Sequence, residues 1–220
     1  MTLFALPNRQ EEMLATIEAE YRETAYLTGR SQLPPHIRKA LQEVPRRDFV
    51  PRLMKHLALA NSPLPIGAGQ TISQPYIVAL MTDLLDPQPE QTILEIGTGC
   101  GYQTAILAHL AGKVFSIEII DSLAAIAASN LASYQNIELR CSDGHLGWKE
   151  ATPYDGIIVT AAARQVPEAL RQQLKVGGRL VIPVGPPNSH QELLLIKRLN
   201  EQEFCTETIL GVAFVPLVKK

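Results

Sequence analysis

The stretch Thr92-Ile93-Leu94-Glu95-Ile96-Gly97-Thr98-Gly99-Cys100-Gly101-Tyr102 narrows the possible folds of this chain more than any other. An apolar strand, Thr92 to Gly97, runs into alternate glycines, and a helical pattern starts at once and continues to Ala111. Glycines at a strand-to-helix turn let the backbone approach a ligand closely, at the carboxyl end of a sheet. The same alternation then repeats. Residues 114–118, 137–141, 154–160 and 178–184 read as strands, the last after a Gly177-Gly178 turn, and residues 123–133 and 166–174 read as helices. Apolar strands interleaved with helices predict an α/β fold: a doubly wound, mostly parallel sheet covered on both faces. Residues 191–199 and 204–218 form two further strands with no helix between them, which predicts an antiparallel C-terminal edge.

Ahead of this region, Met13, Leu14, Ile17, Tyr21 and Ala25 recur at helical spacing and predict an amphipathic helix ending near Gly29. A second helix should start at Pro34-Pro35 and bury Ile37, Ala40, Leu41 and Val44. Residues 45–69 are rich in Pro and Gly with short apolar pieces, which predicts a structured loop, followed by a helix from Pro75 to Leu85. The expected organisation is an N-terminal helical extension, residues 1–32, and one catalytic-size domain, residues 33–220.

Composition removes several function classes. Twenty basic against 22 acidic residues leave a net charge of -2, so no global positive field favours nucleic acid. No apolar run approaches the roughly 20 residues of a membrane span, and residues 1–10 lack the pattern of a secretion signal. Cys100, Cys141 and Cys205 are far apart and without metal or redox spacing. They are expected as reduced thiols in a cytoplasmic protein, and the histidines have no partners at ligand spacing, so no metal site is expected.

The glycine turn raises the question of its ligand. A dinucleotide fingerprint places its third glycine where this chain has Tyr102; here it comes one residue early, at Gly101. Glu95 ahead of the turn would repel a pyrophosphate and suits a cationic or zwitterionic ligand. Glu118 ends the next strand and is placed to accept the hydroxyls of a ribose. Asp143-Gly144 follows the third strand, where an Asp can hold an adenine amino group while the glycine leaves room for the ring. Each feature alone also has a bland reading as a tight turn or a solvated strand end; the four in order after successive strands are far more specific.

Glu95-x-Gly97-x-Gly99-x-Gly101 resembles the first motif of the Rossmann-like S-adenosylmethionine methyltransferases. Within that superfamily the chain is most similar to the protein-L-isoaspartate O-methyltransferases. The resemblance is carried by residues 44–51 (Val-Pro-Arg-Arg-Asp-Phe-Val-Pro) and 64–76, with Gln70-Thr71-Ile72-Ser73-Gln74-Pro75 as the family-specific part. Residues 94–107, Asp143-Gly144, 154–162, 177–185 and 214–217 continue it. It covers roughly residues 33–218. Cys100 stands where the family usually has Ser, and the first 32 residues exceed the usual family start.

The resemblance implies S-adenosyl-L-methionine as cofactor, held by Gln70, Thr71, Ile72, Ser73, Glu95, Gly97, Thr98, Gly99, Gly101, Glu118, Asp143 and Gly144. It implies methyl transfer to the α-carboxylate of L-isoaspartyl residues in damaged proteins and peptides, with Ser73 at the active site, no metal and a monomeric enzyme. An alternative use of Ser73 is as N-cap of the helix that starts near Pro75. Such a carboxylate, with an ordinary pKa of about 3.9, is ionised at neutral pH and needs no general base. Amino-directed nucleic-acid methyltransferases carry Asn/Asp-Pro-Pro-Tyr/Phe after the fourth strand; this chain has Thr160-Ala161-Ala162-Ala163. A binder that kept the fold without the chemistry is the remaining rival.

Overall fold

The computed structural model describes residues 9–219 apart from Asn188, so the first eight residues of the expected extension lie outside it. Helix α1 spans Arg9–Thr28 and α2 spans Pro35–Glu43. Of the stripe foreseen on α1, Met13, Leu14, Ile17 and Tyr21 are 0–2% exposed and belong to the same core as α2 and the main sheet, while Ala25 is half-buried. Pro35 opens α2, where the missing N–H costs nothing, and Ile37, Ala40 and Leu41 face inward.

The stretch expected as loop holds two single turns of 3-10 helix, Arg46–Asp48 and Arg52–Met54, folded round one buried cation. Arg46 is fully buried and donates to the carbonyls of Ala58, Ser62 and Ser73 at 2.5, 3.0 and 3.0 Å. Its guanidinium thereby serves three backbone acceptors that the irregular chain leaves without regular partners.

The end of that stretch corrects the loop expectation. Strands β1, Leu64–Gly67, and β2, Gln70–Ile72, pair as an antiparallel hairpin. The turn runs through Gly67, Ala68 and Gly69, all at positive φ, and Leu64, Ile66 and Ile72 are its buried side. Alternation either side of Gly-Ala-Gly is the signal that marks it in the sequence. Helix α3, Pro75–Leu85, follows and is buried on almost every side.

The main sheet contains β3 (Thr92–Ile96), β4 (Lys113–Glu118), β5 (Ile137–Cys141), β6 (Tyr154–Val159), β7 (Leu174–Val184), β8 (Gln191–Arg198) and β9 (Phe204–Val212). Its order is β5-β4-β3-β6-β7-β8-β9, parallel from β5 to β7 and antiparallel beyond. Helices α4 (Tyr102–Leu110), α5 (Asp121–Asn130) and α6 (Glu168–Gln173) connect the parallel strands. Neighbours along a strand enter different cores: Ile93, Ile158 and Val181 join one cluster, while Leu94, Ile157, Val159, Leu180 and Ile182 join the other. That is the period of two expected where both faces are covered. The expected mostly parallel sheet with an antiparallel edge is borne out.

Two boundaries differ from expectation in ways that matter for the fold. Helix α6 has six residues and passes directly into β7, so Gly177-Gly178 forms an irregularity inside that strand opposite Tyr154–Gly156 and not a turn ahead of it. Strand β9 stops at Val212, short of Val218. There the buried Gln191 side chain takes over both backbone groups of Phe214, accepting its N–H at 2.7 Å and donating to its carbonyl at 3.1 Å. Pro216 has no N–H to extend a ladder, and the chain turns across the carboxyl ends of the sheet.

Candidate active site

Strand β3 pairs with β4 on one side and β6 on the other, so the chain reverses direction of winding there. Such a switch point opens a crevice beyond the strand ends, and the glycine turn lies in it. A Cβ on Gly97 would collide with Thr160 Oγ1, and one on Gly144 would collide with a methyl of Ile96. Both glycines therefore keep the crevice floor thin where a ligand must approach. Thr160 anchors the floor by donating to the carbonyl of Gly97 at 2.5 Å.

A narrow cleft opens above this floor. The strand ends contribute Gly97, Gly99, Glu118 and Gly144; the hairpin contributes Ile66, Gln70 and Thr71. Glu118 is aimed before any ligand arrives. Its carboxylate accepts from the backbone N–H of Gly99 at 2.7 Å, Ile119 at 2.9 Å and Ile120 at 3.0 Å. A carboxylate fixed by three amides keeps further lone-pair positions for hydroxyl donors. Apolar walls come from Ile117, Ile120 and Leu123, which suits a purine face. The cradle therefore offers a ligand a fixed carboxylate beside an apolar wall.

Other expected site residues stand elsewhere. Glu95 is fully buried behind the turn and does not reach the cleft. Its Oε2 accepts from Thr104 at 2.5 Å and Ser116 at 2.6 Å, and its Oε1 has no hydrogen-bond partner among the described residues. Burial pushes its pKa up to about 8, against the two hydroxyl donors that favour the ionised form. Glu95 thus ties the turn to α4 and β4. Ser116 spends its one proton on Glu95, so Thr98 is the donor in the 2.6 Å Thr98–Ser116 bond, and its side chain is buried too. Gly101 packs on Leu131, and Ile72 is buried under the hairpin. Asp143 Oδ1 accepts from the backbone N–H of His145 and lies 2.9 Å from its ring, capping a short helical turn beside Gly144.

Ser73 faces a second cleft with Thr71, Gln74, Ile77, His190, Gln191 and Phe214. Thr71, Thr160 and Val215 line both clefts, so the two are adjacent. Ser73 does not cap α3. The N-cap position is Gln74, without a side-chain cap, and the exposed N–H of Tyr76 is taken by Asn61 Oδ1 at 3.0 Å. The hydroxyl of Ser73 has no partner among the described residues, which leaves it available to a ligand in the second cleft.

Comparison with known proteins places the fold and the family. The profile of the protein-L-isoaspartate(D-aspartate) O-methyltransferase family matches residues 26–220. The chain belongs to this family. A Syntrophobacter fumaroxidans relative, protein-L-isoaspartate O-methyltransferase 2, is 50% identical over 208 residues, 94% of this chain and 84% of its own. A Polaromonas relative of the same name is 49% identical, covering 93% of this chain and 98% of its own. A solved protein-L-isoaspartate O-methyltransferase superposes with a TM-score of 0.81 at 27% identity over 94% of this chain, which spans 65% of that longer one. A Plasmodium falciparum chain solved with S-adenosyl-L-homocysteine shares the fold, with a TM-score of 0.76 at 21% identity over 93% of this chain and 98% of its own.

As a member of the isoaspartate methyltransferase family the chain has site residues that sequence reasoning did not name. Ile66 comes from the unforeseen hairpin, and Thr160 from the end of β6. Residues 215–218 cross the cleft as a strap, held by Ala162 N–H to Val215 carbonyl and Leu217 N–H to Ala162 carbonyl, each 2.8 Å. The motif Phe214-Val215-Pro216-Leu217 marked the strap but gave no hint that it leaves the strand. Trp148 lies away from the cleft, buried against Phe115 and under the Arg140 guanidinium. Asp155 is structural, accepting from Thr92 N–H and from Lys175.

Proposed function

We propose that this protein transfers a methyl group from S-adenosyl-L-methionine to the free α-carboxylate of L-isoaspartyl residues in damaged proteins and peptides. The resulting ester closes to a succinimide, which can reopen to normal aspartate. The single observation that carries the reading is the adjacency of the two clefts across Thr71, Thr160 and Val215, with a Ser73 hydroxyl that has no partner among the described residues on one side and the Glu118 cradle on the other. Membership of the family supports the same assignment.

When bound, S-adenosylmethionine supplies an electrophilic methyl on a sulfonium centre. Glu118 is the residue proposed to hold the ribose, Gly97, Gly99 and Gly144 to admit the nucleoside, and Asp143 to mark the adenine edge. Gln70 and Thr71 overhang the cleft from the hairpin. The acceptor is already an anion, so the protein's task is placement, worth up to roughly 7–11 kcal/mol in favourable cases. Ser73 donates to one acceptor oxygen and turns the other toward the cofactor side. Among the described residues no cluster of His, Cys, Asp or Glu could hold a metal ion, and no helix is long and apolar enough to cross a membrane. The three cysteines, far apart in the sequence and without redox spacing, suit a cytoplasmic location.

The deciding assay uses labelled S-adenosylmethionine with two peptides that differ only in Asp against L-isoAsp. Base-labile label is expected on the isoAsp peptide alone. Equal labelling of both would remove the repair assignment.

A further inference from the structure

The segment carrying Ser73 is gripped from behind by residues outside both clefts. Tyr76, in the first turn of α3, gives its backbone N–H to Asn61 Oδ1, and Asn61 Nδ2 donates in turn to Glu20 Oε1 on α1 at 3.1 Å. The other end of the same residue is held as well. Thr24, one turn along α1, lies 2.5 Å from the Tyr76 hydroxyl. Thr24 spends its proton on the carbonyl of Glu20 at 2.7 Å, so Tyr76 is the donor in that pair. The Tyr21 ring meets Tyr76 edge-on at 5.7 Å between ring centres. Meanwhile Arg46 holds the Ser73 carbonyl.

Most of α1 precedes residue 26, where the family profile begins, so this grip comes from a part of the chain the profile does not describe. The connection it controls is short and stiff. Ser73 stands three residues before Tyr76, and Pro75 between them fixes one backbone angle. A rotation at Tyr76 therefore carries over to Ser73, and a displacement of roughly 1 Å at a reacting group can cost about 100-fold in rate.

We propose that Glu20 and Asn61 are positioning residues for methyl transfer: the Glu20–Asn61–Tyr76 relay lets α1 set the start of α3 and thereby aim Ser73 at the acceptor carboxylate. The proposal rests on the placement of Ser73 at the acceptor. The amide of Asn61 is polarised in one sense, oxygen to an N–H and nitrogen to a carboxylate. An aspartate there keeps the Tyr76 contact but meets Glu20 with like charge. Changing Glu20 to Gln as well restores a donor–acceptor pair with its direction reversed.

The test uses the full chain, isoAsp peptide kinetics, calorimetric binding of S-adenosylhomocysteine, and thermal unfolding. Asn61→Asp is expected to lower kcat/KM for the peptide about tenfold or more, with cofactor-product affinity within about twofold of wild type. Adding Glu20→Gln to Asn61→Asp is expected to recover most of that loss. Asn61→Ala should lower kcat/KM without recovery by Glu20→Gln. A double variant no better than Asn61→Asp, or losses that follow Tm or cofactor-product affinity, would overturn the relay. Ser73→Ala run in parallel separates the two claims: if it leaves transfer unchanged, the placement of Ser73 fails and the relay with it. If it slows transfer while the double variant shows no recovery, the relay alone is lost.

Discussion

Ser73, Glu118 and Glu95 are three polar residues whose surroundings give them different work. Ser73 has an unspent hydroxyl, so Ser73→Ala removes a contact to substrate and nothing internal. A hydrogen bond to a charged group is worth about 1.5–3 kcal/mol, so kcat for the isoAsp peptide should fall roughly 10–100-fold while S-adenosylhomocysteine binding changes less than about twofold. Glu118→Ala removes a proposed ribose acceptor and orphans three amides, so calorimetry should show cofactor-product affinity weakened at least about tenfold. Glu95 acts on stability. The folded protein holds its proton up to about pH 8, whereas an unperturbed glutamate sheds it near 4.5. Between those values the folded state binds more protons than the unfolded chain, so this contribution is complete below pH 4.5 and is lost as pH rises through 8. Wild-type Tm should therefore drop more between pH 5 and pH 8 than that of Glu95→Gln, and parallel curves would refute the buried neutral carboxyl.

The strap and the hairpin are the elements that roof the cleft, and neither has much regular structure to hold it. The strap depends on Gln191, whose amide bonds both backbone groups of Phe214. Gln191→Ala leaves two half-buried backbone groups without a protein partner, at a cost of ~1–3 kcal/mol. Hydrogen exchange across residues 213–217 should accelerate, and cofactor-product dissociation with it, while exchange in β3 and β4 stays slow. The parallel core was legible because its central strands β3, β6 and β7 are apolar on both faces, a pattern that local sequence carries whole. The roof was not. Residues 45–69 read as loop because the hairpin is only four and three residues long. The end of β9 was missed because a side chain from the neighbouring strand decides it.

At the scale of the molecule, folding and cofactor uptake are linked, since the cleft exists only in the folded chain. Ligand at about 100 times its Kd adds roughly 2.7 kcal/mol, and a domain of this size gains about 2–4 °C per kcal/mol. S-adenosylhomocysteine at that excess should therefore raise Tm by about 5–10 °C, and NAD, whose glycine fingerprint this turn departs from at Tyr102, should leave it unchanged. A Tm raised by NAD would contradict the nucleoside assignment.

The sequence alone determined the sheet, the glycine turn and the family resemblance, because strand periodicity, backbone freedom at glycine and a contiguous motif are all local properties. It also singled out Glu118, Gly144 and Ser73 as chemistry-bearing positions. Only the tertiary structure decided that Glu95 and Thr98 are buried behind the turn, that Thr160 and the strap line the cleft, and that Asn61 leaves Ser73 its hydroxyl. Those outcomes depend on which distant segments share a polar atom's surroundings, and hydrogen bonds between residues 15, 41 or 63 positions apart leave no pattern along the chain.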